Sequence, residues 1–259
     1  MKRLIKYICQ AALVLAGFAA CETDNLEGPN ASIKGTIYDH NNKPLQTEQG
    51  SGNMKIRYIE LSWKEEVVSP RDLNVKIDGT YENSKMFAGT YLMHPYQGGF
   101  YPPDSAEMKT VEIKGTATVD FQVTPYLEVE WVNEPVIVHI REKEHPNYAN
   151  NPSANYPEGD YFQASAKFSL VGKTGKTHPG VQYGRFFVSN THFAADNNKL
   201  AEYSRELSFN NADAEKIITF TADQPVKYTG MTFYFRIGFK CNDADKKYNY
   251  TSVKEIKVL

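Results

Sequence analysis

The sequence predicts an all-β protein of two tandem β-sandwiches. Its apolar segments are short, rich in Val, Ile, Tyr, Phe and Thr, and bounded by Gly, Pro, Asn or Asp, which are strand signals. No stretch of a dozen residues holds a 3.6-residue period. The alternation breaks at Pro125-Tyr126 and restarts at Leu127, which divides the chain into residues 31–126 and 127–259.

A leader precedes the first strand. Lys2, Arg3 and Lys6 are followed by an apolar run from Tyr7 to Phe18 and by the small pair Ala19-Ala20. This is the layout of a secretory signal over residues 1–20. The run is shorter than the roughly 20 apolar residues that span a bilayer. Residues 21–30, polar and containing Gly28-Pro29, read as a flexible tether.

In the first half, strands are expected near Ser32–Asp39, Ile56–Trp63, Leu73–Lys76, Lys85–Phe87, Gly89–Pro95, Met108–Ile113 and Ala117–Val123. Asp78-Gly79 and Ala88-Gly89 supply turns, because glycine enters positive φ freely. Asn41 to Asn53, with Gly50-Ser51-Gly52, reads as a mobile loop. In the second half, strands are expected at Leu127–Trp131, Val136–Ile140, Phe162–Val171, Gln182–Ser189, Glu202–Phe209, Ile217–Thr221, Met231–Lys240 and Thr251–Val258. Met231, Phe233, Phe235, Ile237 and Phe239 share one face, with Tyr234, Arg236 and Lys240 on the other, so this strand is expected to be half-buried. Such strand density suggests an immunoglobulin or fibronectin-type sandwich for residues 127–259.

Several stretches resemble known families. Phe18-Ala19-Ala20-Cys21 is similar to the lipobox of bacterial lipoproteins, which implies that Cys21 becomes an acylated N-terminus. Glu22 and Asp24 resemble the acidic signal that exports Bacteroidetes lipoproteins to the cell surface, implying an outer-membrane, lipid-anchored protein facing outward. Ile33 to Asp39, Lys43-Pro44-Leu45, Asp78-Gly79-Thr80-Tyr81 and Met86 to Tyr91 resemble the carboxypeptidase regulatory or transthyretin-like β-sandwich. Together with Gly99-Phe100-Tyr101-Pro102 and Val123-Thr124-Pro125-Tyr126, they resemble a family of uncharacterised Bacteroidetes lipoproteins. Members are associated with SusC/SusD-like glycan importers, which implies an importer partner and a role in glycan capture. The resemblance supplies no catalytic residues.

Composition narrows the function. Removing the leader lowers 29 Lys+Arg to 26 against an unchanged 31 Asp+Glu, a net charge of −5. A chain without a basic stripe is not built to track phosphates, so nucleic acid is excluded as the expected partner. Cys9 leaves with the leader and Cys21 is acylated, which leaves Cys241 as a small apolar strand residue rather than a reactive thiol. There is no His-Glu-x-x-His helix, no Gly-x-Ser-x-Gly elbow, no phosphate-binding glycine loop and no paired-cysteine site. His139 and His145 lie about 20 Å apart on an extended chain and cannot share a metal. Asn242, Asp243 and Asp245 could hold calcium, but Lys246 and Lys247 favour an ordinary hairpin turn. No enzyme, metal or cofactor is expected.

Aromatic residues make up 13% of the chain, including 17 tyrosines. Trp63 and Trp131 alternate with apolar neighbours and read as core or interface. The segment His145 to Tyr161 is longer than loops usually are without a function. It carries Tyr148, Tyr156 and Tyr161 among Asn147, Asn150, Asn151, Asn155, Glu158 and Asp160. Tyrosine rings can cover the C–H face of a sugar, and amides and carboxylates can bond its hydroxyls. The same tyrosines could instead pin the loop to the sandwich. Tyr96, Phe100 and Tyr101 form a second candidate, for which a scaffold or domain-interface role is the favoured alternative to binding. The expected function is a non-catalytic surface protein that binds oligosaccharide or polysaccharide. A structural spacer or protein-docking module is the alternative.

Overall fold

The computed structural model describes residues 28–50, 52–62, 68–149 and 155–259. The leader, Cys21, Trp63, Asn150 and Asn151 lie outside the described residues. The chain forms β-strands joined by loops and 3-10 turns, and no helix among the described residues is long and apolar enough to cross a membrane.

Residues up to Gln122 contribute β1 (Ala31–Tyr38), β2 (Lys55–Glu60), β3 (Arg71–Asn74), β4 (Thr80–Met86), β5 (Gly89–Tyr96), β6 (Lys109–Ile113), β7 (Thr116–Thr118) and β8 (Phe121–Gln122). One sheet has the order β4-β1-β7, with β8 continuing the parallel pairing along β1. The facing sheet has the order β3-β2-β5-β6 and is antiparallel throughout. Alternation along each strand turns Ile33, Ile37, Ile56, Tyr81, Met93 and Ile113 into one core. Gly79 closes the turn before β4 at φ +80°, and a Cβ there would lie 2.6 Å from the Leu45 carbonyl oxygen. Only glycine fits both the dihedral and the space.

From Leu127 the chain contributes β9 (Leu127–Ile140), β10 (Gly159–Leu170), β11 (Val181–Ser189), β12 (Glu206–Ser208), β13 (Ile218–Thr221), β14 (Thr232–Cys241), β15 (Tyr248–Tyr250) and β16 (Lys254–Lys257). The sheets are β13-β10-β9 and β12-β11-β14-β15, with β16 on the other end of the β14 flank that holds β15. Phe162, Phe168, Phe186, Phe233, Phe235 and Phe239 fill the space between them. Each fully buried ring contributes on the order of 1.5–3 kcal/mol.

Several expectations change. The two strands expected at 127–131 and 136–140 are one, β9, which ends its sheet, so Pro135 removes no ladder bond the fold needs. Strand β12 is shorter than expected, and Tyr248, expected on a strand, begins the short separate strand β15. Met231 is 38% exposed just before β14, whereas Arg236, on the face expected to meet solvent, is fully buried. The reason is that the segment around Thr47 of the first half covers this part of the sheet's outer face.

That junction also corrects the reading of Asn41 to Asn53 as a mobile loop. Leu45, Thr47, Glu48 and Asn53 are buried. Leu45 N–H donates to Ile37 O at 2.8 Å, and Thr47 N–H donates to Ile77 O at 3.1 Å. From the second half, Arg236 Nη1 donates to Thr47 O at 2.6 Å and Tyr250 Oη donates to Glu48 Oε2 at 2.8 Å. The Arg236 guanidinium also lies 4.2 Å from the Tyr250 ring centre. Burial drives Arg236 down to about 10, still a cation at neutral pH, and burial raises Glu48 above the usual carboxylate range. No strand pairing among the described residues crosses between the halves. The connection is made by loops and side chains.

Candidate functional site

Of the loop that the sequence offered as a sugar platform or as a segment pinned to the sandwich, the described tyrosines Tyr156 and Tyr161 are pins. Tyr161 is fully buried at the start of β10, and its hydroxyl donates to Pro157 O at 2.5 Å. Tyr156, 5% exposed, stacks on His145 with ring centres 4.2 Å apart and an interplanar angle of 7°. His145 is itself buried and its Nε2 is 3.0 Å from Ala222 O. These rings fix the segment to the second sandwich and leave no face for a sugar. Tyr148 is half-buried in a turn whose N–H donates to His145 O, and it makes no ring contact with Tyr156 or Tyr161. Asn155 and Asp160 are exposed, and Asp160 is bound to His139 Nδ1 at 2.9 Å. Asn150 lies outside the described residues.

The second candidate divides. Phe100 is in the first core and Tyr101 in the second, so neither meets solvent. Tyr96 remains, 36% exposed at the end of β5. Its setting comes from strand register. Lys55 of β2 lies opposite both Asn74 of β3 and Tyr96 of β5, and two residues on, Arg57 lies opposite both Asp72 and His94. Residues two apart share a face, so these six side chains stand in two rows on the outside of the sheet.

The rows are held rigidly. Arg57 donates from Nε to Asp72 Oδ1 at 2.9 Å and from Nη2 to Asp72 Oδ2 at 3.1 Å. The guanidinium so oriented lies 3.6 Å from the centre of the Tyr96 ring. His94 meets Tyr96 edge to face, 6.4 Å away at 89°. The paired hydrogen bonds and the charge of Arg57 hold the Asp72 carboxyl below its ordinary range, and Asp72 raises Arg57 in turn. Gln97, at φ 61°, takes the chain out of the strand immediately after Tyr96. The Tyr96 ring, 36% exposed, lies against the Arg57 guanidinium and is met edge to face by His94, in an array that also presents a lysine and an amide. The array contains no nucleophile–base pair.

Sequence reasoning named Tyr96 and missed Arg57, Asp72, His94, Lys55 and Asn74. The alternation of β2 and β5 put Arg57 and His94 on outward positions, but nothing local announced that these strands are neighbours. Cys241 is fully buried, and burial pushes its thiol up to about 12, as an inert strand residue requires. Asp243 Oδ2 accepts the main-chain N–H groups of Asp245 and Lys246, a hairpin turn.

Residues 31–124 match the N-terminal domain of the DUF3823 family, described as a protein of unknown function. No protein of curated function matches the chain. A crystal structure of a DUF3823 family protein from Bacteroides uniformis superimposes with a TM-score of 0.71 at 22% identity, covering 89% of this chain and 100% of that one. A second, from the same organism and described as a "putative carbohydrate binding protein", gives 0.63 at 22% identity with the same coverage. A DUF3823 family protein from Parabacteroides merdae gives 0.64 at 18% identity, covering 89% and 100%. At these identities the likeness shows a shared all-β fold across both halves.

Proposed function

We propose that this protein is a non-catalytic carbohydrate-binding protein of the bacterial cell surface, tethered by lipid on Cys21 and serving a SusC/SusD-like importer. The observation that carries the binding reading is the ring of Tyr96, exposed yet fixed by Arg57, Asp72 and His94. A ring already held in place loses little freedom when a sugar stacks on it. A protein of similar fold described as a "putative carbohydrate binding protein" supports the same class of ligand. The anchor and importer rest on the resemblance of the leader and of the motifs between Ile33 and Tyr126.

The test is a glycan array with the purified protein, followed by calorimetry of wild type and Tyr96→Ala against the strongest hit. Palmitate labelling of wild type and Cys21→Ala in cells tests the anchor. A docking-module reading is favoured by one observation: Val132, Val136 and Ile137 are more than a third exposed on β9, a strand at its sheet's edge. An array without hits, together with cross-linking through β9 to an outer-membrane protein, would favour that reading.

A further inference from the structure

The two rows of side chains around Tyr96 carry more positive charge than holding the ring requires. Lys55, Arg57 and Asp72 are their charged members, so two cations meet one carboxylate, with His94 alongside. The chain as a whole has 29 Lys+Arg against 31 Asp+Glu, so the patch runs against the charge of the protein that bears it. The next row on the same face, Ile59, Leu92 and Thr110, is uncharged and brings no second acid.

The one acid is already engaged. Both oxygens of Asp72 accept from Arg57, at 2.9 Å from Nε and 3.1 Å from Nη2. Its carboxyl is held low first by these hydrogen bonds and, in smaller measure, by the charges of Arg57 and Lys55. Lys55 thus lies in the field of the pair without belonging to it. Among the described residues it has no acid within ion-pair distance. Lys173, Lys176, Lys240 and Lys254 each sit on a carboxylate, whereas Lys55 stands against a ring and an amide.

Register sets where that ammonium can act. Lys55 is directly opposite Tyr96 on one side and Asn74 on the other, and opposed residues of an antiparallel pair have Cβ atoms about 4.5–5.5 Å apart. Arg57, one row on, lies 3.6 Å from the centre of the Tyr96 ring, and its Nη1 makes no hydrogen bond to a described residue. A sugar resting on the exposed part of this ring has an ammonium beside it and a guanidinium on the diagonal. Both groups only donate. Hydroxyls can accept from them, but an anionic substituent adds a charge-assisted bond, roughly twice as strong as a neutral one.

Resting on the reading of Tyr96 as the stacking ring, we infer that the glycan bound on this face is acidic, and that Lys55 pairs with a carboxylate or sulfate of the stacked sugar. Arg57, oriented by Asp72, is the second donor to the same group.

An array carrying neutral, uronic-acid and sulfated glycans, probed with the purified protein, tests this. The glycans retained should be acidic, and the uronic-acid and sulfated members show which anion is taken. In calorimetry with the strongest acidic hit, Lys55→Gln should weaken binding about fivefold, the size of an exposed ion pair, and Lys55→Arg should stay close to wild type. Raising NaCl from about 0.1 M to about 1 M should weaken wild type and affect Lys55→Gln far less. Hits confined to neutral glycans, or an acidic hit bound equally by wild type and Lys55→Gln, would overturn the inference. Neutral hits lost in Tyr96→Ala would leave the stacking ring in place without the charge preference. Acidic hits lost in Lys55→Gln but kept in Tyr96→Ala would remove the ring alone, and an array without hits would remove both.

Discussion

Phe100 and Tyr101 are neighbours in the chain and sit in different cores, Phe100 among Ile33, Ile56 and Phe121 and Tyr101 among Tyr126, Phe168 and Cys241. An extended backbone sends consecutive side chains to opposite sides, and here the two sides are the two halves. Tyr101 Oη donates to Val171 O at 2.9 Å, and its ring meets Tyr126 edge to face at 4.7 Å. Phe100 and Tyr101, for which the sequence favoured a scaffold or domain-interface role, are a rivet between the sandwiches.

Tyr101→Ala is therefore expected to lower stability by about 3–5 kcal/mol, the usual range for deleting a large buried aromatic. Tyr101→Phe keeps the ring and leaves Val171 O without its donor, a loss of about 1 kcal/mol. Urea unfolding of both variants checks the order. Equal stability of Tyr101→Ala and wild type would mean that the junction contributes nothing to folding.

Arg236 makes the companion prediction. Its charge is fully buried and reaches the carbonyl oxygens of Thr47, across the junction, and Thr251. Arg236→Ala leaves both acceptors and the neighbouring Glu48 without their cation and is expected to cost about 3–5 kcal/mol. In differential scanning calorimetry the wild type should unfold in one transition. Arg236→Ala should unfold at lower temperature, with the halves separating into two transitions. A variant as stable as wild type would contradict the assignment.

Tyr156→Ala and Tyr161→Ala should both lower the melting temperature and leave glycan affinity intact, because one ring is stacked on buried His145 and the other is wholly inside. Loss of affinity with an unchanged melting temperature would restore the His145–Tyr161 segment as the sugar platform.

His139 sits between Asp160 at 2.9 Å and Glu158 at 3.4 Å, and these hydrogen bonds raise its pKa above the ordinary value. Because the folded value is the higher one, the contribution to stability is complete below the unfolded pKa of about 6.5 and is lost as pH rises through the folded value. An NMR titration should show His139 protonating above about pH 6.5, and Asp160→Asn should bring it down. An ordinary titration unaffected by Asp160→Asn would show that the cluster does not hold in solution. The exposure of all three groups limits the effect on stability.

Much of the fold was legible because strands announce themselves locally. The alternation of Phe233, Phe235, Ile237 and Phe239 identified β14 and its inner face without reference to any other segment. The outer face was misjudged because Arg236 is buried by the loop around Thr47, nearly two hundred residues away, and long-range packing leaves no local periodicity. The site was only partly legible for the same reason. Tyrosines in a Pro- and Asn-rich segment look alike whether they cover a sugar or a neighbouring His145. Arg57, Asp72 and His94 come together only through the pairing of β3, β2 and β5, and register is a property of the sheet rather than of any one strand. Tyr96 could be named because it belongs to a segment rich in aromatic residues and prolines, not because its partners were visible.

The central claim is that Tyr96, held by Arg57 and Asp72, is the sugar-stacking ring. Base–aromatic stacks are worth ~1–3 kcal/mol, and a sugar stack is expected toward the lower end of that range. Asp72→Asn should weaken binding several-fold by loosening Arg57. The decisive measurement is calorimetry of wild type and Tyr96→Ala against the best glycan from the array, with thermal unfolding alongside. The account predicts a loss of about tenfold in affinity for Tyr96→Ala with a nearly unchanged melting temperature. Full affinity in Tyr96→Ala would contradict it.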